Sequence, residues 1–282
     1  MPGPQLQAAA VQSAQLMDAL TAEFAADLQP VLALLNAKLR TLIRRIQTDP
    51  TGRLVATRTS LALALRLKTD IAKALVQAGY VELAATAVND PLDRLAASVL
   101  DGAALDAATL GAYDVEALAA LKQLRLADLV QVGEQAAATV WRAVVDGVLG
   151  ARPVLDLIDT IADALEISAK QARTIYDTGV STYSRQVGQL GTTGEDDEPF
   201  LYAGPNDQKT REFCADRVGK VYSRGRIDDM DNGQLDPVMA YGGGYNCRHT
   251  WMRVSRLDKE LRAIVDQDVT YASFAARELE PA

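Results

Sequence analysis

The chain reads YAGPNDQKTREFC over residues 202–214 and GGGYNCRHTW over residues 242–251. Glycine, proline, asparagine and aspartate are frequent in this part of the chain, and they interrupt the helical patterns that fill most of the remaining sequence. Short strand-like pieces accompany the two segments, at Phe200–Ala203, Lys220–Tyr222 and Thr250–Val254. We therefore predict a mainly α protein, with a helical N-terminal region and a small α+β module at its C-terminus.

The composition is that of an acidic protein that folds into a globular structure. Its 282 residues are enough for one large domain or two smaller ones, and a hydrophobic fraction of 49% is ordinary for a globular protein. The net charge of −8 argues against broad, sequence-independent binding to a phosphate backbone. A local basic patch at Leu39–Arg45 leaves the question of DNA contact open.

Nothing in the sequence predicts a membrane span or a secretory signal. No apolar run reaches the roughly 18 residues that a helix needs to cross a bilayer. The N-terminus does not combine a basic segment with an apolar one, as a cleaved signal would. Two cysteines are too few for a disulfide framework. We therefore expect synthesis in a reducing cytoplasm.

Helical periodicity dominates the first two thirds of the chain. Gln5–Gln47 carries apolar residues every three or four positions from Leu16 to Ile46, which is typical of a helix with one apolar face, and Pro30 is expected to kink or interrupt it. Because such a face must be buried, we expect it to contact a partner or a second copy. Further helices, with breaks between them, are predicted at Leu54–Gln77, Tyr80–Val88, Leu92–Leu100, Val115–Leu124, Ala127–Leu149, Pro153–Leu165 and Ser168–Gly188.

These boundaries divide the chain into two predicted regions. Residues 1–152 form the helical N-terminal region, and residues 153–282 form the C-terminal module. The module has lead-in helices at 153–190, a linker at 191–199 and a compact α+β part at 200–282. The linker is acidic and contains glycine and proline, which disfavour helix. A surface loop inside one domain is the alternative interpretation of the same residues.

Cys214, Cys247 and His249 are the residues most able to carry specific chemistry. They are the two cysteines and the single histidine of the chain, and thiolate and imidazole are ligands that suit zinc. A disulfide between the cysteines is a second interpretation, which a cytoplasmic origin disfavours. Two buried thiols beside a hydrogen-bonded histidine are a third. All three interpretations require these residues to lie close together, and Asp207 and Asp216 are candidates for a fourth metal ligand.

A catalytic interpretation uses one of the cysteines as a nucleophile and His249 as its base. No local nucleophile signature surrounds Cys214 or Cys247, so we favour a binding role without turnover. A metal- or thiol-dependent hydrolase centred on these three residues remains the alternative from another functional class.

The polar residues near the cysteines are predicted to organise the backbone. Asp207 is expected to cap a helix that begins at Gln208, and Thr210 is expected to bond nearby backbone groups. Arg211 can make a bidentate hydrogen bond to a carboxylate or to helix-terminal carbonyl groups. Arg248, next to a cysteine in a tight loop, is expected to have the same kind of organising role.

This region resembles the C-terminal module of phage head morphogenesis proteins, the minor capsid family named after the F protein of phage Mu. The family pattern runs from a lead-in helix to an aspartate, Thr-Arg, a cysteine or histidine, a Gly-Lys-Val-Tyr-like strand, and Asn-Cys-Arg with an aromatic residue after it. Residues 153–254 follow this order. The matched positions are Asp207, Thr210, Arg211, Cys214, Gly219–Tyr222, Asn246, Cys247, Arg248, His249 and Trp251. Many relatives have a further cysteine near the first and end in Cys-Arg-Cys, whereas this chain has Cys-Arg-His.

The resemblance implies a minor structural protein of a tailed-phage head. Such a protein is present in few copies near the portal and acts in head assembly or in DNA packaging and ejection. Its partners would be the portal or other capsid proteins, with a homo-oligomer as a further form, and its location would be the virion. Modules of this type also occur fused to secreted effectors, so a toxin-system protein is a second alternative. We expect no enzymatic activity.

Overall fold

The computed structural model describes residues 3–102, 112–190, 192, 194–255 and 258–278. The long helices are α1 Gly3–Ile43, α2 Arg58–Gln77, α3 Tyr80–Gly102, α4 Ala112–Leu149 and α5 Val154–Gly188. The elements that follow are β1 Pro199–Ala203, α6 Glu212–Ala215, β2 Val221–Ser223, α7 Arg224–Asp228, α8 Val238–Tyr241, β3 Thr250–Arg253, α9 Lys259–Ala263 and α10 Tyr271–Glu278. The predicted fold class, mainly α with a small α+β module at the C-terminus, is confirmed.

Pro30 was expected to kink or interrupt the first helix, and the expected interruption is wrong. α1 continues through this residue to Ile43. Proline leaves the carbonyl group four residues earlier, on Ala26, without its helical N–H partner. Both Pro30 and Ala26 are exposed, so the Ala26 carbonyl oxygen is open to water and the missing donor costs little.

Two further predicted breaks also lie inside continuous helices. α3 passes through the expected turn at Asn89–Pro91, and α5 passes through the expected junction at residues 166–167. A new helix was predicted to begin at Ser168, but the hydroxyl of this residue donates to the Ala164 carbonyl oxygen at 2.8 Å within α5. Apolar residues on both sides of each junction are buried, and this packing outweighs the local preference for a turn.

The described chain forms two compact units. Unit 1 comprises Met1–Thr21, Asn89–Gln123 and Tyr176–Ala282, and unit 2 comprises Ala22–Val88 and Leu124–Ile175. Each of α1, α3, α4 and α5 contributes a segment to both units. The domain boundary between residues 152 and 153 stays a prediction, and both units draw on segments from either side of it.

Unit 2 is a helical unit with an aliphatic core. Its part of the apolar face of α1 is buried, with Phe24, Leu28, Leu35 and Leu39 between 0% and 4% exposed. This part of the face is therefore covered within the chain, and the partner contact expected of it stays a prediction. A hydrogen bond from the Tyr80 hydroxyl to the Leu129 carbonyl oxygen, 2.9 Å long, also lies inside the unit.

Unit 1 contains the three-stranded sheet, whose order is β2-β1-β3 with both pairings antiparallel. The central strand β1 is buried along its whole length. Its alternating side chains supply two separate cores: Leu201 and Ala203 pack with Leu6 of α1, whereas Phe200 and Tyr202 pack on the other face. The three predicted strands are confirmed to within a residue or so at their ends.

The predicted linker at 191–199 is fastened to the sheet at its C-terminal end, while Gly191 and Thr193 lie outside the described residues. Glu198 is buried and forms an ion pair with Arg253 at 2.8 Å.

No single described helix is long and apolar enough to cross a membrane. Taken together, α2 and α3 have the length and the apolar composition of a membrane-spanning segment, although they are bent by 42° where they meet.

Candidate metal centre

Cys214, Cys247 and His249 converge on one face of the sheet in unit 1. The two Sγ atoms are 3.7 Å apart, and Cys247 Sγ lies 3.8 Å from His249 Nδ1. The three ligand atoms all lie within 4.8 Å of one another. All three residues are buried and both cysteines are free thiols. The predicted convergence is confirmed, and the group has the residue types and spacing to hold a metal ion.

Three separate pieces of backbone bring these side chains together. Cys214 lies on the one-turn helix α6, Cys247 lies in the loop after α8, and His249 directly precedes β3. β3 pairs with β1, where Trp251 is opposite Tyr202. The sheet therefore positions the end of the α8–β3 loop against β1, and α6 supplies the remaining thiol.

Two glycines allow the backbone to approach the cluster closely. A Cβ atom on Gly243 would overlap the Cys214 sulfur. Gly204 has a φ of +152°, and a Cβ atom there would lie 2.7 Å from His249 Cδ2. The Gly243 backbone N–H also donates to Cys247 Sγ at 3.1 Å. A side chain at either glycine would push the thiol or the imidazole out of place.

His249 is held in one tautomer by its hydrogen bond. Its Nε2 atom is 2.7 Å from the Pro205 carbonyl oxygen. A carbonyl oxygen only accepts, so Nε2 carries the proton and Nδ1 of the neutral ring keeps its lone pair. That lone pair is on the side of the ring facing Cys247 Sγ. The imidazole is thus prepared to act as a ligand or as a hydrogen-bond acceptor.

Tyr202 lies against both sulfurs, although sequence analysis did not single it out. Its hydroxyl oxygen is 3.3 Å from Cys214 Sγ and 3.6 Å from Cys247 Sγ. Its ring stacks on the His249 ring, with centroids 5.4 Å apart and planes 16° apart. Burial raises the pKa of this phenol well above its ordinary value. The alternation of side chains along β1 was the available signal that it faces the cysteines.

Arg185 is the second important residue that sequence analysis missed. Its side chain is 1% exposed, and it donates to the carbonyl oxygens of His249 at 2.7 Å, Ala240 at 3.1 Å and Cys247. It is the single charged residue between Thr178 and Leu190, and this scarcity of charge was the available signal that the end of α5 is buried.

The two thiols shift each other's pKa in opposite directions. The pKa of Cys247 is lowered well below its ordinary value because its sulfur accepts a hydrogen bond from Cys214, and the charge of Arg185 acts in the same direction. The same hydrogen bond raises the pKa of Cys214. The Arg185 guanidinium, whose hydrogen bonds go to neutral carbonyl oxygens, therefore favours the ionised form of Cys247. Such a buried cation is stabilised by a nearby anion.

Arg211 binds the glycine-rich loop, which contains Gly242–Gly244, to the start of α6. Its guanidinium donates to the Gly243 carbonyl oxygen at 2.6 Å and to the Tyr245 carbonyl oxygen. This agrees with the predicted backbone-organising role, although the carbonyl groups belong to a loop. The residue itself is the N-cap position of α6.

Asp207 does not cap a helix, and that expectation is wrong. Residues 207–210 form a turn in which the Lys209 N–H donates to Asp207 Oδ1 at 2.9 Å and the Asp207 N–H donates to Thr210 Oγ1 at 2.9 Å. The helix begins only at Glu212. Asp207 also pairs with Arg248 at 2.6 Å, which together with the turn lowers its pKa to about 2.

The remaining residues of the motif have structural partners. Arg248 also reaches Asp18 of α1 at 3.4 Å. Asn246 adopts a φ of +55° and accepts a hydrogen bond from the Thr178 hydroxyl at 3.2 Å. Trp251 is buried, and its indole N–H donates to the Val238 carbonyl oxygen at 3.2 Å. Each contact fastens the α8–β3 segment to another element of unit 1.

Neither aspartate considered as a fourth ligand joins the cluster. In the part of the chain that the structure describes, the potential metal-binding group consists of Cys214, Cys247 and His249. Asp207 forms an ion pair with Arg248, and Asp216 is exposed.

Comparison of the chain with protein-family models, curated proteins and solved structures finds no match. The function is therefore inferred from the site itself.

Proposed function

We propose that this protein is a minor structural protein of a tailed-phage head, and that a zinc ion organises its C-terminal module. The observation that carries the proposal is the burial of the groups able to do chemistry: Cys214, Cys247 and His249 are 2%, 4% and 2% exposed. A nucleophilic thiol must be reached by its substrate, and a catalytic zinc keeps an open coordination position. A closed cluster of thiols and imidazole suits a structural site in a protein that acts by binding.

The separation of the two sulfurs fits tetrahedral zinc. Zn–S bonds of about 2.3 Å place two sulfurs about 3.8 Å apart in a tetrahedron, and the Cys214 and Cys247 sulfurs are 3.7 Å apart. His249 donates its other ring N–H to a backbone carbonyl group, the arrangement usual for a zinc-bound histidine. Bound there, zinc would tie α6, the α8–β3 loop and the start of β3 to one another.

The polar residues of the family motif support a structural role. Arg211 holds the carbonyl groups of the glycine-rich loop, Arg248 links that loop to Asp207 and Asp18, and Asn246 bonds to α5. These contacts all maintain the shape of the module, and they leave its outer surface to bind the portal or another capsid protein. The burial of both thiols disfavours the hydrolase alternative.

The head-protein proposal is tested by mass spectrometry of purified particles from the phage whose genome encodes the chain. We expect the protein at low stoichiometry relative to the major capsid protein, after nuclease treatment and high-salt washing, with an abundant host protein as the marker of contamination. Portal and major capsid genes beside its own gene would agree with this result. Absence from both mature particles and assembly intermediates would contradict the proposal.

A further inference from the structure

We propose that Tyr202 is the fourth ligand of the metal centre, so that the site is a closed set of two thiolates, one imidazole and one phenolate. This inference rests on the zinc site proposed above. It assigns the remaining coordination position to the phenol oxygen, where a water molecule or an aspartate would otherwise be expected.

The distances around the phenol oxygen carry the proposal. A tetrahedral zinc with Zn–S bonds of about 2.3 Å and a Zn–O bond of about 2.0 Å separates sulfur from oxygen by about 3.5 Å. The Tyr202 oxygen lies 3.3 Å from Cys214 Sγ and 3.6 Å from Cys247 Sγ. With the two sulfurs 3.7 Å apart, these three atoms form one face of a tetrahedron of the right size, and His249 Nδ1 lies 3.8 Å from one of its corners.

The position of the Tyr202 ring is fixed by its surroundings. It lies on the central strand of the sheet and is fully buried. Its ring stacks on His249 and lies 4.3 Å, centroid to centroid, from the Trp251 ring. The same packing that holds the imidazole therefore holds the phenol oxygen beside both sulfurs.

The hydrogen bonding of this phenol also favours a ligand role. A buried tyrosine hydroxyl normally finds a strong acceptor, but the contacts of this one in the described structure are with two sulfurs, which are weak hydrogen-bond partners. Coordination to a metal ion would satisfy the oxygen fully. Zinc binding would release the two thiol protons and the phenol proton to solvent.

The charge balance is consistent with three anionic ligands. Two thiolates and a phenolate around a divalent cation leave one net negative charge in a buried place. Arg185 supplies one positive charge there: its guanidinium is 1% exposed and bonds to the carbonyl oxygens of Cys247 and His249. Burying a single ion of either sign destabilises a fold unless an opposite charge is nearby. Here the negative charge of the metal centre and the positive charge of Arg185 would stabilise each other.

The test is a zinc titration of the full-length protein, prepared without a polyhistidine tag and stripped of metal under reducing conditions. Near-ultraviolet difference spectra report formation of tyrosinate, and competition with a chromophoric chelator reports zinc affinity. The variant is Tyr202→Phe, which keeps the ring. The matched control is Tyr222→Phe on the neighbouring strand, whose ring also contacts Trp251, with centroids 6.0 Å apart.

We expect one tyrosinate per bound zinc in the wild type and in Tyr222→Phe, and none in Tyr202→Phe. The Tyr202→Phe affinity should fall more than the roughly 10–100-fold typical when an outer-shell partner is lost. Stoichiometric zinc binding by the wild type without a tyrosinate signal would overturn the ligand assignment and leave the zinc site standing. A wild type that binds no zinc would overturn both, and that measurement does not depend on whether the variant folds.

Discussion

Arg185 donates to three carbonyl oxygens around the cluster from a fully buried position. In Arg185→Met these oxygens lose their donor, and each unsatisfied buried group costs about 1–3 kcal/mol. We therefore expect the free energy of unfolding to fall by at least about 3 kcal/mol, measured by urea denaturation followed by near-ultraviolet circular dichroism. Arg185→Lys should not restore it, because an ammonium group lacks the planar fork that reaches several acceptors at once.

The matched control for this change is Arg173→Met, on the same helix but exposed. Exposed substitutions away from special features usually change stability by about 0.5 kcal/mol or less. Equal destabilisation by the two variants would mean that the bonds of Arg185 to the cluster backbone are not what stabilises the module.

Asp207 makes the acid stability of the module depend on its ion pair with Arg248. Its pKa is about 2 in the folded protein against an ordinary value of 3.8, so it stabilises the fold above pH 3.8, and this contribution is lost as the pH falls towards 2. Asp207→Asn should therefore flatten the fall in melting temperature between these two pH values. Asp216→Asn, which changes an exposed aspartate nearby, is the control and should follow the wild type. Identical pH profiles for the wild type and Asp207→Asn would refute the prediction.

The sequence was most informative about residues that are rare in this chain. With two cysteines and one histidine in two short segments, their convergence could be predicted from their rarity and from the family pattern, which pairs the two segments. Tyr202 and Arg185 could not be assigned in the same way, because their roles depend on which way a buried strand and a buried helix face. Side-chain direction of that kind is set by tertiary packing.

Among the elements, the α8–β3 loop depends on a glycine at its closest approach to α6. A Cβ atom on Gly243 would overlap Cys214 Sγ and lie 3.5 Å from Cys247 Sγ. Overpacking of this kind costs about 1–3 kcal/mol, so Gly243→Ala should lower the free energy of unfolding by that amount. It should also weaken zinc binding, because the Cys214 thiol must move. Urea denaturation and chelator competition measure the two effects.

Gly225→Ala provides the matched control within the same unit. Its Cβ atom would meet Asp196 at 3.5 Å, an ordinary contact, and its position in α7 suits alanine. We expect it to keep wild-type stability and zinc affinity. If Gly243→Ala behaves like this control, the loop is free to move away from α6 and the close approach is not required.

The short strands were predicted well, and the breaks within the long helices were predicted poorly. β1 lies between Asp196–Asp197 on one side and Gly204–Pro205 on the other, and these signals act locally. Pro30 and Asn89–Pro91 carry local signals of the same strength, yet α1 and α3 continue through them. Burial of neighbouring apolar residues decides such cases, and a single sequence does not show which surfaces a helix will meet.

For the whole molecule, zinc should matter to one unit and not to the other. The two tryptophans of the chain report on them separately, since Trp251 lies in the cluster of unit 1 and Trp141 lies in unit 2, where its indole N–H bonds to the Ala64 carbonyl oxygen at 3.2 Å. In Trp141→Phe, the fluorescence of Trp251 should change when a chelator removes zinc. In Trp251→Phe, the fluorescence of Trp141 should not. A response of Trp141 equal to that of Trp251 would contradict a local structural role for the metal.

The most direct measurement is the zinc content of the full-length protein, purified under reducing conditions without a polyhistidine tag and analysed by plasma mass spectrometry. A buried site built from Cys214, Cys247 and His249 predicts one zinc per chain. Cys214→Ser with Cys247→Ser should abolish it, and Asp216→Asn should leave it unchanged. Wild-type protein that contains no zinc, and takes up none when it is supplied, would contradict the metal-organised module proposed here.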